Sequence, residues 1–116
     1  MVACPKPPKI IRDPQHLRMV RQLPCCVSMH TYGVEAHHLL RTGQHAMARK
    51  SGDNFVLPIR SDLHRLLHDG PVDEMDFLAE HGLVDPLTKA ASLWSLTLEG
   101  LKNEEWLEEG RRIIEQ

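Results

Sequence analysis

Proline and glycine cut this 116-residue chain into short pieces, and that punctuation limits the fold more than any other feature. Asp13-Pro14 and Asp85-Pro86 each set a capping carboxylate before a proline already fixed near helical φ, so a helix is predicted to start at both. Pro24 ends the first. Gly70, Gly82 and Gly100 close three predicted helices, SDLHRLLHDG, DEMDFLAEHG and DPLTKAASLWSLTLEG. A last helix, NEEWLEEGRRIIEQ, is predicted to be capped by Asn103. Apolar and polar residues roughly alternate from Cys25 to His37 around Tyr32-Gly33, as in a hairpin or two short strands. NFVLPI, from Asn54, is a further short strand candidate stopped by Pro58. CPKPPK reads as an extended arm and RTGQHAMARKSG as a basic loop. The order is helix, short strands, then helices, with no repeat, so the fold class is α+β and residues 1–116 form a single domain.

The length suits one modest core, and no apolar run approaches the roughly 20 residues of a membrane span, so no membrane partner is expected. MVACPKPPKII lacks the apolar stretch of a secretion signal, and three cysteines cannot all pair internally, so a reduced, cytoplasmic chain is expected. The net charge of −2 hides an asymmetry. Residues 1–68 carry ten Lys/Arg against four Asp/Glu, and residues 69–116 carry four against twelve. Seven of the eight histidines lie in the basic part. A polyanion is therefore expected to meet the first part, with the acidic helical tail, 71–116, solvated or docked to a partner.

The chemistry gathers in EAHHLL and SDLHRLLHDG. His64 and His68, four residues apart on a helix, lie about 40° apart around its axis and can reach one cation. His37 and His38 stand at a strand end before a glycine-containing loop. Two histidine pairs flanking a basic loop make a plausible site for Zn, Ni, Cu, Mn or Fe, with a position left open for catalysis. Taken alone, a helical HxxxH is more often ordinary surface, and Asp53-Asn54 an ordinary turn. Successive strand residues point to opposite faces, so His37 and His38 can share a site only if the strand ends or bends there.

EAHHLL, SGDNFVLPI and RSDLHRLLHDG together resemble the HNH (His-Me finger, ββα-metal) endonucleases over residues 24–70. TGQHAMARKSGD and DFLAEHGLVDP are similar, more loosely, to the phage Ref-type, RecA-dependent nucleases within that family. The resemblance implies a ββα-metal core at 24–70, a short antiparallel hairpin plus helix, flanked by the N-terminal helix and the helical tail. It implies His37, His64 and His68 as ligands of one divalent metal (Mg, Mn, Ni or Zn), His38 as general base and Asn54 as the residue holding the loop. It further implies a phage or prophage enzyme that hydrolyses DNA with low sequence specificity in recombination, repair or replication, in a bacterial host cytoplasm. Many relatives frame the site with a zinc ribbon. Here its second cysteine pair is replaced by Arg60 and Leu63, which excludes a four-cysteine site. Cys4, Cys25, Cys26 and His30 are the residues left for a second metal, and buried apolar cysteines are the default reading.

Under this reading His38 takes a proton from the attacking water, and neutral ligands leave the cation's charge available to a phosphate. Arg41, Arg49, Lys50, Arg60 and Arg65 are the candidate phosphate contacts, with His45 a further loop histidine. The few aromatic residues suggest no base-stacking platform, and Trp94 and Trp106 are spaced for packing. Two other functions remain open. One is a nucleic-acid-binding or adaptor module without efficient cleavage, its acidic tail docking a recombinase or replication protein. The other is a small metalloprotein of different activity.

Overall fold

The computed structural model describes residues 10–39, 52–69, 72–83 and 85–116. Among them lie a two-stranded antiparallel hairpin and five helices, and no helix is long and apolar enough to cross a membrane. In chain order these are α1 (Pro14–Val20), β1 (Val34–His38), β2 (Val56–Arg60), α2 (Ser61–Asp69), α3 (Glu74–Glu80), α4 (Pro86–Leu98) and α5 (Asn103–Glu115).

The helix starts follow the sequence closely. Asp13, Asp73 and Asp85 accept the N–H groups of His16, Asp76 and Thr88 at 3.0–3.1 Å, satisfying donors that a first helical turn leaves orphaned. Gly82 and Gly100 end α3 and α4 in the left-handed region, φ +89° and +81°. Asn103 does not cap α5; it is the first helical residue, and Lys102 precedes it without a side-chain cap.

The strands differ from the sequence expectation. Cys25 to Thr31 form no strand. The Cys25 N–H bonds the His30 carbonyl at 2.8 Å and the Cys25 carbonyl accepts Met29 N–H at 2.8 Å, so this backbone closes on itself as a turn and meets β2 through Cys26 N to Pro58 O at 2.9 Å instead of through a ladder. The hairpin joins β1 to β2 across residues 39–55, pairing Val34 with Arg60, Ala36 with Pro58 and His38 with Val56. Bonds from Leu39 N to Phe55 O and from Ser61 N to Gly33 O mark the odd-numbered β1 positions as the bonded pairs. Pro58 falls opposite Ala36, at a non-bonded pair, so its missing N–H costs the ladder nothing.

The core runs from Met19, Val20 and Leu23 through Val56, Leu57 and Ile59 to Leu78, Leu93, Trp106 and Ile114. The helical tail is therefore part of the same core as the hairpin. Trp106 is buried and Trp94 half-buried, as their spacing suggested. Lys89 on α4 donates to the Ile113 carbonyl at 2.9 Å and helps close the C-terminal end of α5.

Candidate functional site

Both histidines of the HH pair lie inside β1, and Leu39 still bonds β2 beyond them. The strand does not bend at His37. Alternation therefore separates the two rings: His37 shares a face with Glu35, Leu57 and Ile59, and His38 shares the other with Ala36, Val56 and Arg60.

On the first face, α2 begins directly after β2 and carries His64 back over the strand. His37 Nδ1 and His64 Nδ1 face each other at 2.8 Å, their rings at 83°. Behind His37, Glu74 Oε1 lies 2.5 Å from Nε2, with both side chains almost fully buried. The carboxylate accepts Nε2–H, which leaves the Nδ1 lone pair turned toward His64. Two imidazole nitrogens at this separation cannot both present lone pairs, so a positive centre must lie between them. In this arrangement it is the His64 proton. Burial first, then the neighbouring His37, holds the His64 pKa below its usual value, with Glu35 working in the opposite sense. Glu35 Oε2 is 3.9 Å from His64 Nε2. His68 is one turn further along; its ring centre is 6.0 Å from that of His64, and its Nδ1 lies 3.2 Å from Asp69. A cleft of about 280 Å³ opens here between Glu35, Ser61, His64, Arg65, His68 and Asp69.

On the second face, His38 Nε2 lies 2.7 Å from Asp53 Oδ1, and Asp53 Oδ2 accepts the Asp13 backbone N–H at 2.7 Å. The tight turn at 52–55, closed by Phe55 N to Gly52 O at 3.0 Å, and a bond from Asp53 N to Ile11 O at 2.9 Å set the carboxylate in place. Burial pushes the Asp53 carboxyl up, but the bonds from His38 and the Asp13 N–H outweigh it and hold it below the ordinary carboxylate range. Asp53 thus fixes His38 with Nε2–H inward, and Nδ1 has no partner among the described residues. The His38 side chain keeps 38% exposure, enough for a water to reach it. Asn54, expected to hold the loop, lies in the same turn. Its Oδ1 is buried against Gly52 without a partner among the described residues.

The structure therefore brings His37 and His64 together, places His38 across the strand and leaves His68 at the cleft rim. Among the described residues, no three His, Cys, Asp or Glu groups are gathered closely enough to hold a metal ion. His37 and His64 fit a cation as a converging pair backed by a carboxylate, an arrangement typical of metal-binding imidazoles. Arg65 lines the cleft, exposed. Arg60 is held by Asp62 at 2.9 and 2.6 Å and also donates to His30. Arg41, His45, Arg49, Lys50 and Cys4 lie outside the described residues.

Cys25 and Cys26 are both buried. Cys25 Sγ accepts the Arg60 and Ser28 N–H groups at 3.3 and 3.5 Å; burial raises its pKa, but these bonds outweigh it and bring the thiol below its usual value. Burial pushes the Cys26 thiol up to about 12.

A family model described as "Protein of unknown function (DUF968)" matches residues 1–98. The chain belongs to that family. The DUF968 match covers both histidine clusters and every helix except α5. No curated protein and no solved structure matches the chain.

Glu74 and Asp53, the two carboxylates that orient the histidines, escaped the sequence reading. Glu74 sits in an acidic run, PVDEMDFLAE, where one buried carboxylate looks like its solvated neighbours. Asp53 was visible only as half of an Asp-Asn turn.

Proposed function

We propose that the chain is a metal-dependent endonuclease of the HNH type, hydrolysing DNA phosphodiester bonds with low sequence specificity. The observation that carries the reading is the pairing of two oriented imidazoles on one hairpin. His37 and His64 converge with Glu74 behind them, and His38 is aimed by Asp53.

His37 and His64 would hold a divalent cation, with His68 the nearest further imidazole; when bound, the ion would stabilise negative charge on a phosphate oxygen and on the leaving oxygen. His38, the last residue of β1 and on its other face, would take the proton of the attacking water through Nδ1, with the phosphate lying across the end of the strand so that both faces reach it. Asp53 keeps His38 in the tautomer that allows this and favours the imidazolium that forms. Glu74 fixes the His37 ring through Nε2 so that Nδ1 faces His64, which lines the cleft. Arg65, at the cleft edge, supplies a phosphate contact that adds affinity without reading sequence. The loop residues Arg41, Arg49 and Lys50 carry the same role in this reading, and Asn54 sits in the turn that holds Asp53. A phage or prophage role in recombination, repair or replication, in the cytoplasm of a bacterial host, is part of the proposal.

The test is incubation of pure protein with plasmid and Mg²⁺, Mn²⁺, Ni²⁺ or Zn²⁺. Wild type is expected to nick or cut with at least one metal, and His38→Ala to lose about 10²-fold or more of the rate. Glu74→Gln is expected to weaken metal affinity about 10- to 100-fold. Wild type as inactive as His38→Ala across metals and DNA forms would overturn the assignment. Salt-dependent DNA binding retained by both would instead identify a binding or adaptor module.

A further inference from the structure

Tyr32 is 68% exposed, the only tyrosine in the chain, and it stands on a rigid base. Gly33, φ +66°, turns the backbone immediately after it, and the Gly33 carbonyl is tied to Ser61 N at 2.8 Å. His30 lies almost parallel to the Tyr32 ring, at 14° with centres 5.4 Å apart. His30 is itself anchored, its carbonyl bonded to Cys25 N at 2.8 Å. The Arg60 guanidinium sits 6.0 Å from the Tyr32 ring centre and donates to His30 Nδ1, while Asp62 fixes its other edge. Its donors are largely spent within the protein. Arg60 is therefore a plane locked beside two rings more than a free phosphate ligand. Met29, 44% exposed, adds an apolar rim in the left-handed conformation, φ +63°.

We infer that His30, Tyr32 and Arg60 form a stacking platform for an unpaired DNA base, which makes the substrate a DNA with a single-stranded segment. This rests on the nuclease reading above and names its substrate class. The sequence suggested no platform because its aromatic residues are few and scattered; the fold supplies one by adding a histidine and a guanidinium to a single tyrosine. An exposed ring with a partner already stacked beside it extends the stack when another flat π-system arrives, and nucleobases provide one whatever their identity. Bases in a duplex are occupied by their neighbours, so only an unpaired base can present a face. The position fits as well. Arg60 and His38 share one sheet face, and Val34 and Val56, their partners, place them four residues apart along the strands. That is about 13 Å, or about four nucleotides of a stacked strand. A base held at Tyr32 would leave the phosphate at His38 about that far along the same chain.

The experiment is fluorescence anisotropy of a labelled oligodeoxythymidylate against the full chain, with inorganic polyphosphate as the probe of charge alone. Tyr32 is a surface residue, and a thermal melt confirms that its variants fold. Tyr32→Ala is expected to weaken oligonucleotide binding roughly 5- to 150-fold while leaving polyphosphate binding unchanged, and Tyr32→Phe to retain both. Tyr32→Ala binding like wild type, or losing polyphosphate and oligonucleotide equally, overturns the platform while the nuclease reading stands on its cleavage assay. Wild type that neither binds oligonucleotide nor cuts plasmid overturns both.

Discussion

Replacing Asp53 by asparagine separates the two things its carboxylate does. In the native turn one oxygen accepts His38 Nε2–H and the other the Asp13 backbone N–H, each at 2.7 Å. Asparagine has one acceptor oxygen and one NH₂ in the same space. With its oxygen toward Asp13, the NH₂ faces His38 Nε2, and the imidazole must accept there and move its proton to Nδ1. With its oxygen toward His38, the NH₂ opposes the Asp13 N–H, and an unsatisfied buried donor costs about 1–3 kcal/mol. The first arrangement is cheaper, because the two neutral histidine tautomers differ little in energy. It still exchanges charge-assisted bonds for neutral ones, a loss of about 1–2 kcal/mol. Arg12, 3.8 Å from Asp53 Oδ1 and half exposed, adds little to this. The expected outcome is a melting temperature lower by about 4–8 °C. The His38 tautomer should reverse in ¹H–¹⁵N NMR, and cleavage should fall about 10²-fold or more. A variant whose His38 keeps Nε2–H at unchanged stability would refute the reasoning. A wild-type His38 already carrying its proton on Nδ1 would refute it too.

Acid should destabilise the chain through His16. Burial brings its pKa to about 4, against the pull of Asp13 and Asp53, so the folded state keeps it neutral where the unfolded chain, at 6.5, takes up a proton. Stability contributed this way is full above the unfolded value and is lost as pH falls from about 6.5 to about 4, by about 3 kcal/mol in all. Urea unfolding across that range should show the slope in wild type and a flatter one in His16→Phe; equal slopes would assign the acid sensitivity elsewhere. Gly52→Ala and Gly82→Ala should part company. A Cβ at Gly52 would meet Asn54 Oδ1 at 2.5 Å and Ile11 N at 3.2 Å, so that variant should lose about 1–3 kcal/mol and disturb the His38 NMR signals. At Gly82 the space is open and only the φ of +89° resists, so stability should fall by about 1 kcal/mol with His38 unmoved.

What the sequence showed was local, and what it hid was long-range. The Asp-Pro starts, the ends at Gly82 and Gly100 and the placing of HxxxH on one helix are read within one helical turn, and each stands where expected; Gly70 lies outside the described residues. The segment from Cys25 misled because alternation cannot distinguish a strand from a turn whose N–H and carbonyl close on one another. His37 and His64 could be suspected as partners because both are histidines. Glu74 could not, because its meeting with His37 spans 37 residues and depends on how α3 packs. Asp53 was hidden differently: turn chemistry explained it fully until His38 was found opposite. Tyr32 has His30 two residues away, but Arg60 joins it only when β1 and β2 pair.

The fork at Asp53 also bears on what holds His38 in place. One prong reaches His38, and the other receives the first residue before α1, a helix bound through His16 and Thr97 (2.7 Å) to α4 and, through the same Thr97 hydroxyl and Trp106 (3.0 Å), to α5. Undocking of α5 would remove one of the bonds at Thr97 and loosen the hold on α1 and, through Asp13, on the carboxylate. If His38 is the base, its aim is therefore coupled to the packing of a helix that never touches it.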